Sequence, residues 1–394
     1  MSSASSPSGS RPSAAGPALR EPPPASAAPA QASPSRKRKS RGFWAEAWRR
    51  FRRRKLAMAA LGYVVLMALV AILSPAIVGT KPIVCKYKGT IYFPALGYFN
   101  ERWENPIFRI DGIGRQYSTL LKVKDPESWA IWPLVFQDPK RPVMEGEWPG
   151  QPGNPTPNPA LGIGQPSRHN WFGTTQEGFD VFAVMVHGTR TALLVGFVSM
   201  GIAAAIGITI GALAGYLGGW VDMIISRLIE VVMCIPLLVL ILALVAVIPN
   251  PSIWHLMVII GVTGWTGIAR LTRAEFLKLR EMDFVIAARA LGARTPRIMF
   301  LHVLRNALAP ILVPITFGIA SAILLEAALS YLGFGLRPPN ISWGLLLANA
   351  RDNHNLWWLI VFPGAAVFLT VLAYNLIGEG WQEATDPRLR EAGK

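Results

Sequence analysis

The sequence has no GxxxxGK[ST] stretch to cradle a nucleotide phosphate, so ATP chemistry is excluded from this chain on motif grounds. It also lacks G-x-S-x-G, H-E-x-x-H and carboxylate pairs at suggestive spacing, which argues against an enzyme. Its two cysteines, Cys85 and Cys234, fall just after one apolar run and inside another, and so offer neither a disulfide framework nor a metal site. The histidines His169, His187, His255, His302 and His354 are scattered without ligand spacing, which points to core or interfacial roles. Charge is scarce as well. Only 16% of the 394 residues are charged, against about a quarter in an ordinary soluble domain.

What the sequence has instead is long apolar runs. Crossing a bilayer takes roughly 20 consecutive apolar residues, and six runs approach or exceed that: 56–79, 191–216, 220–248, 254–271, 309–335 and 357–378. A soluble protein with six buried helices would need further amphipathic helices to cover them, and too few remain. The expected fold is therefore an all-α polytopic membrane protein with six transmembrane helices. Gly and Ala within the runs suit close helix packing in lipid.

The net charge of +16 raises the question of nucleic acid, but much of the excess lies in RKRKSRGFWAEAWRRFRRRK (36–55), directly before the first run. That placement orients the chain at a membrane surface, with no nucleic-acid partner expected. With this cluster inside, the 249–253 connection faces outside and has no Lys or Arg, whereas 272–305 faces inside and has many. Both termini are then cytoplasmic and 81–185 is an external insertion, with GTIYF (89–93) hinting at a small β element. Residues 1–42 read as a disordered basic tail, since the Ser-, Pro- and Ala-rich part up to 35 has too little apolar surface to offset the entropy of ordering. An amphipathic basic segment and the first span occupy 43–80, and a five-helix core occupies 186–394. The first run is long enough to be retained as an anchor.

Between spans four and five lies AARALGARTPRIMFLHVLRNALAP (287–310), basic and interrupted by Gly292 and Pro296. DFVIAARALGA reads as a short helix with a Gly where it ends. Ala287, Ala288 and Gly292 would let a partner approach the backbone, and Arg289, Arg294 and Arg297 would pair with acidic groups on it. A basic loop touching anionic headgroups accounts for the same residues.

This stretch resembles the cytoplasmic coupling loop of bacterial ABC importer permeases: a pair of alanines, a Gly four residues after the second, then an HxLPN-like segment. Ala287, Ala288, Gly292, His302, Leu304 and Asn306 supply that frame, and Asp283, the nearest carboxylate, and Arg294 are counted with them in the implied ATPase-coupling loop. Ile286 stands where the acidic residue usually precedes the alanines, and Arg305 where a proline usually precedes the Asn. HNWFGTTQEGFDVFAVMVHGTRTALLVG (169–196), EAALSYLGFGLRPPNISWGLLLANA (326–350) and AYNLIGEGWQEATDPRLR (373–390) are similar to segments of the dipeptide/oligopeptide branch, C-type subunit, with Phe179 replacing an arginine. KPIVCKYKGTIYFPALGYF (81–99) resembles the subset with an enlarged external loop. The resemblance implies the type I importer permease fold in the bacterial cytoplasmic membrane. It also implies no cofactor on this chain, with ATP and Mg on two separate ATPase subunits, a second permease and an extracytoplasmic solute-binding protein. The implied function is peptide translocation. Relatives that carry nickel chelates, oligosaccharides or peptide-like antibiotics share the frame, and a secondary transporter is the competing class.

Glu326 sits within the fifth run, where a carboxylate costs about 2.5–3.5 kcal/mol on insertion scales; a structural partner and a translocation role are both open. Arg227 and Glu230 share a helix face in the third run and are expected to pair. Trp254, Trp357 and Trp358 read as interface anchors, and 336–353 as a re-entrant or surface-lying piece.

Overall fold

The computed structural model describes residues 43–114, 116–337 and 340–385. The tail at 1–42 and the DPRLR end at 386–390 lie outside the described residues. Helix α1 (Phe43–Phe51) leads directly into α2 (Lys55–Ile77). Five helical stretches are long and apolar enough to cross a bilayer: Lys55–Ile77, Val181–Leu217, Ile253–Leu279, Thr295–Tyr331 and Trp358–Thr385. The remaining apolar run forms α6 (Gly219–Met233) and α7 (Leu237–Ala246), which meet at an 80° bend and make a sixth crossing only if the pair counts as one span. Pro236, which has no N–H to continue the ladder, stands at that break.

The other elements of the helical body are α5 (Val181–Leu217), α8 (Ile253–Thr263), α9 (Thr266–Leu279), α10 (Asp283–Ala290), α11 (Thr295–Arg297), α12 (Leu304–Tyr331), α13 (Trp343–Asp352) and α14 (Trp358–Thr385). Small residues set its closest packing. A Cβ on Gly207, Gly211 or Gly215 of α5 would fall within 2.8 Å of a backbone carbonyl of α9 or its N-cap, those of Trp265, Ala269 and Arg273 respectively. The four-residue spacing puts all three on one stripe, and the two backbones run against each other along it. At the start of the chain, Phe51 and Ala57 bury against Gly380 of α14, and Trp44 stacks on Trp381 at 5.9 Å.

Residues between α2 and α5 form a compact piece around a three-stranded antiparallel sheet, ordered β2 (Thr90–Tyr92), β1 (Val84–Tyr87), β3 (Trp129–Ile131). Helices α3 (Ile107–Ile110) and α4 (Tyr117–Lys124) cover one face of it. The alternation of strand side chains puts Cys85 and Tyr87 inward, with Phe108, Ile113, Tyr117 and Leu121 completing a small core. Cys85 is buried and Cys234 exposed, and both are free.

This piece is joined rigidly to the helices at its entry and exit. The last carbonyls of α2, Ala76 and Ile77, accept the N–H groups of Leu134 and Val135 at 3.1 and 2.9 Å, which satisfies acceptors that a helix end leaves open. His187 Nε2 of α5 lies 2.9 Å from the carbonyl of Val78 and is therefore the protonated ring nitrogen. Thr80 and Tyr98 both donate to Asp138, at 2.7 and 3.0 Å, and Arg141 grips Glu147 with two bonds of 2.7 and 2.8 Å. At the exit, Asp180 caps α5 by accepting the Ala183 N–H at 2.7 Å and the Asn170 amide at 2.8 Å. Burial pushes its carboxyl up from 3.8 to about 6.

Two expectations about aromatic and polar segments are corrected here. Trp358 is fully buried rather than interfacial, with its indole donating to the Thr174 carbonyl, whereas Trp254 and Trp357 are exposed as anchors would be. Of the 336–353 segment, expected to be re-entrant or surface-lying, the described helix is not surface-lying. That helix, α13, packs between α12 and α14, buries Trp343, Gly344, Leu346 and Ala350, and sends the Trp343 indole to the carbonyl of Met185 on α5.

Candidate coupling site

The segment from Met282 to Asn306 connects two of the long helices and carries most of the residues singled out in the sequence. Helix α10 begins at Asp283, whose charge lies in the first turn where the helix dipole favours an anion. Arg289 occupies the last turn, its favourable end. Val285 and Ala288, three apart, turn into the core of the chain, and Ile286, Ala287 and Leu291 turn out of it. Ala288 thus packs inside its own chain. Of the small residues expected to admit a partner, only Ala287 and Gly292 are available on the outer side.

The helix ends as its sequence expects. Gly292 has φ +78°, its N–H donates to Arg289 O at 3.0 Å, and the Ala293 N–H donates to Ala288 O at 3.1 Å. These paired bonds define a Schellman cap, in which Gly avoids the steric cost of a left-handed residue. A Cβ on Gly292 would touch nothing within 4 Å, so backbone conformation alone calls for glycine here. The outer side also shows Met282, Ile286, Phe300 and Leu301 exposed, and Leu291 is 89% exposed. Arg289, Arg294 and Arg297 are exposed in the same segment and make no ion pair among the described residues. Exposed apolar side chains and cations on a short capped helix can seat in an acidic-rimmed cleft.

Arg294 precedes α11, which Pro296 opens in its first two positions, where a missing N–H costs nothing. The chain then makes a π-helical turn, Ile298–Val303, before α12. His302 is half-buried inside that turn, and Asn306 donates its side-chain amide to the His302 carbonyl at 2.8 Å. His302 and Asn306 are therefore brought together, with Asn306 serving a carbonyl at the junction of the widened turn and the helix. The exposed Arg305 follows the same junction, where a proline would remove a backbone donor.

Glu326 stands apart from this segment, near the far end of α12. It is 2% exposed and accepts the hydroxyl of Ser330 at 2.8 Å and that of Ser342. Each hydroxyl in turn accepts a backbone N–H: Ser330 that of Leu336, and Ser342 that of Leu345 at the start of α13. The carboxylate orients two serines so that they cap the turn after α12 and the next helix.

No local pattern marked several of these features. The π-turn follows from bonding register rather than residue type, and the roles of Trp343 and Trp358 depend on partners more than 150 residues away.

Residues 207–391 match the family described as binding-protein-dependent transport system inner membrane component, and residues 42–88 match the N-terminal TM domain of oligopeptide transport permease C. The dipeptide transport system permease protein DppC of Alkalihalophilus pseudofirmus is 39% identical over 234 residues, 59% of this chain and 77% of that protein. The di/tripeptide permease DppC of Pseudomonas aeruginosa is 39% identical over 221 residues, covering 56% and 73%. The probable D,D-dipeptide permease DdpC of Escherichia coli is 39% identical over 225 residues, covering 57% and 75%. Among solved structures, an inward-facing MetNI methionine ABC transporter chain aligns with TM-score 0.40 and 18% identity, over 50% of this chain and 96% of that one.

Proposed function

We propose, since this chain belongs to the family of binding-protein-dependent transport system inner membrane components, that it is the C-type permease subunit of an ATP-driven importer and lines a path for short peptides. The chain is not itself the ATPase. It works with a second permease, two ATP-binding cassette subunits that hold ATP and Mg, and a solute-binding protein on the outer side. Its termini lie in the cytoplasm and the 81–185 insertion lies outside, in keeping with the distribution of Lys and Arg.

The observation that carries this assignment is the α10 segment: a short, rigidly capped helix with Leu291 exposed, held at both ends by membrane helices. Asp283, Ala287, Gly292 and Arg294 form its docking side, while Ala288 packs into the chain's own core and Asn306 bonds the His302 carbonyl where the π-turn meets α12. Closure of the ATPase pair would move α10, and α12 would carry that movement across the membrane. The two orientations of the pathway form a two-state equilibrium that nucleotide on one side and loaded binding protein on the other both bias. The peptide substrate is supported by the names of the relatives in three genera.

Reconstitution tests the whole assignment. The complete complex in liposomes should take up a labelled dipeptide with ATP, and omission of this chain should abolish uptake. ATP hydrolysis by the purified single chain would refute the division of labour.

A further inference from the structure

We infer that α1 and the turn after it form a binding site for the headgroup of an anionic phospholipid. Arg49, Arg52 and Arg53 take the phosphate, and Trp44 and Trp48 lie beside it in the interfacial layer.

The two helices that α1 touches fix its level in the membrane. Helix α2 has 23 residues, about 34 Å at 1.5 Å per residue, little more than the roughly 30 Å of hydrocarbon it crosses. Its first residue, Lys55, and the three arginines before it therefore mark one edge of that layer. The last turns of α14 reach the same edge. The polar residues Glu379, Gln382 and Glu383 gather at that end, and Arg54 pairs with Glu383. A Cβ on Gly380 would fall 2.6 Å from that of Ala57 on α2, so the two helix ends lie side by side.

At this edge α1 divides its apolar stripe, residues 44, 47, 48 and 51, between two environments. Ala47 and Phe51 are buried, Phe51 in a cluster with Ala57 and Ala384. Trp44 and Trp48 stay 41% and 44% exposed. Stacking holds both rings in place, Trp44 on Trp381 at 5.9 Å and Trp48 on Phe51 at 5.6 Å. Tryptophans so placed at a membrane edge sit at headgroup level.

The charges beside these rings are unbalanced. Arg50 is neutralised by Glu46 at 2.8 Å and Arg54 by Glu383. Arg49, Arg52, Arg53 and Lys55 are exposed and make no ion pair among the described residues. Helical bonding runs on past α1: the Arg52 N–H donates to the Trp48 carbonyl and the Arg53 N–H to that of Arg50, both at 3.0 Å. Arg49, Arg52 and Arg53, at i, i+3 and i+4, thus share one patch, where like charges repel. An anion seated among them removes that repulsion, and guanidinium forks match phosphate oxygens in pairs. The anion that the membrane edge supplies is lipid phosphate, and a basic cluster directly beside a transmembrane helix favours lipids of net negative charge. Because α1 grips the last turns of α14, which packs along α12, a lipid held here also steadies the helix that leads out of the coupling segment.

The test uses the complete transporter in liposomes doped with brominated phosphatidylglycerol or brominated phosphatidylcholine. Bromine quenches nearby tryptophan, and the part due to Trp44 and Trp48 is the difference made by Trp44→Phe/Trp48→Phe in each background. In the wild type, phosphatidylglycerol should quench that part at a severalfold lower mole fraction than phosphatidylcholine. Arg49→Gln/Arg52→Gln/Arg53→Gln should erase the preference, whereas replacing Arg36, Lys37, Arg38 and Lys39 by Gln should leave it in place. Each set keeps the other's cations to hold the chain's orientation. Should the triple variant fail to assemble, Arg52→Gln alone should lower the preference about twofold. A preference unchanged in the triple or single variant, or lost equally on neutralising 36–39, would reduce the site to diffuse attraction and overturn the inference. Reversal by millimolar inorganic phosphate would assign the patch to the free ion and overturn it too. The quenching does not depend on the cargo, so the result stands apart from the peptide assignment.

Discussion

The indole N–H of Trp358 donates to the carbonyl of Thr174 across 3.0 Å, joining the last long helix to the loop before α5. The same ring occupies the space in front of Gly173, where a Cβ would come within 2.7 Å of Nε1. Trp358→Ala should therefore destabilise the protein by about 3–5 kcal/mol through lost packing. Trp358→Phe should cost about 1–3 kcal/mol by removing the buried donor. Neighbouring Trp357→Phe, at a half-exposed ring, should stay within about 0.5 kcal/mol. Thermal unfolding in detergent orders the three, and equal losses for Trp357→Phe and Trp358→Phe would contradict the buried role.

Asp180 gives the fold a pH dependence. Its carboxyl titrates near 6 in the folded chain against an ordinary 3.8, because burial disfavours the charge. A raised folded value means that its stabilisation is complete below about pH 4 and lost as the pH rises through about 6. From pH 5 to pH 7 this group should remove about 1–2 kcal/mol. Asp180→Asn keeps an acceptor for the Ala183 N–H and should flatten that part of the profile. A Tm against pH curve of unchanged slope in Asp180→Asn would show that other groups govern it.

Topology is accessible to thiol labelling. With Cys234 replaced and the buried Cys85 left in place, Arg294→Cys should react with a membrane-impermeant reagent only from the cytoplasmic side. Ile110→Cys, at a side chain 81% exposed in the piece between α2 and α5, should react only from outside. Labelling of position 294 in intact cells would invert the proposed orientation.

Gly292 separates coupling from folding. A side chain there meets open space but must accept φ +78°, so Gly292→Ala should cost about 1–2 kcal/mol of local stability with partial loss of uptake. Gly292→Trp adds bulk on the docking side. It should preserve membrane insertion and abundance while reducing both uptake and ATPase co-purification. Full uptake by the Trp variant would assign α10 to the lipid surface.

The legible part of this molecule was the part dictated by short-range pattern. Five of the six apolar runs gave the long helices, Gly292 gave the end of α10, and alternation at 89–93 gave a β element, because each depends on residues a few positions apart. The 80° bend was less legible. Pro236 sits within a continuous apolar run, and hydropathy alone does not distinguish a straight crossing from a broken one. Within the coupling segment Ala288 turns inward rather than toward a partner, since which side of a short helix faces the core depends on the elements packed against it. Glu326 was recognised as costly, yet its two serine partners are fixed by the fold of the turn after α12. Trp358 was misassigned for the same reason: an aromatic beside an apolar run has the same local signature whether it meets headgroups or the Thr174 carbonyl.

The contact between His187 and Val78 has one further consequence. It brings the point where the chain leaves α2 beside the first turns of α5, so about a hundred residues depart from and return to nearly the same place. Such a piece is a cassette. Because its ends lie side by side, its length and content can vary without changing the register of any membrane helix.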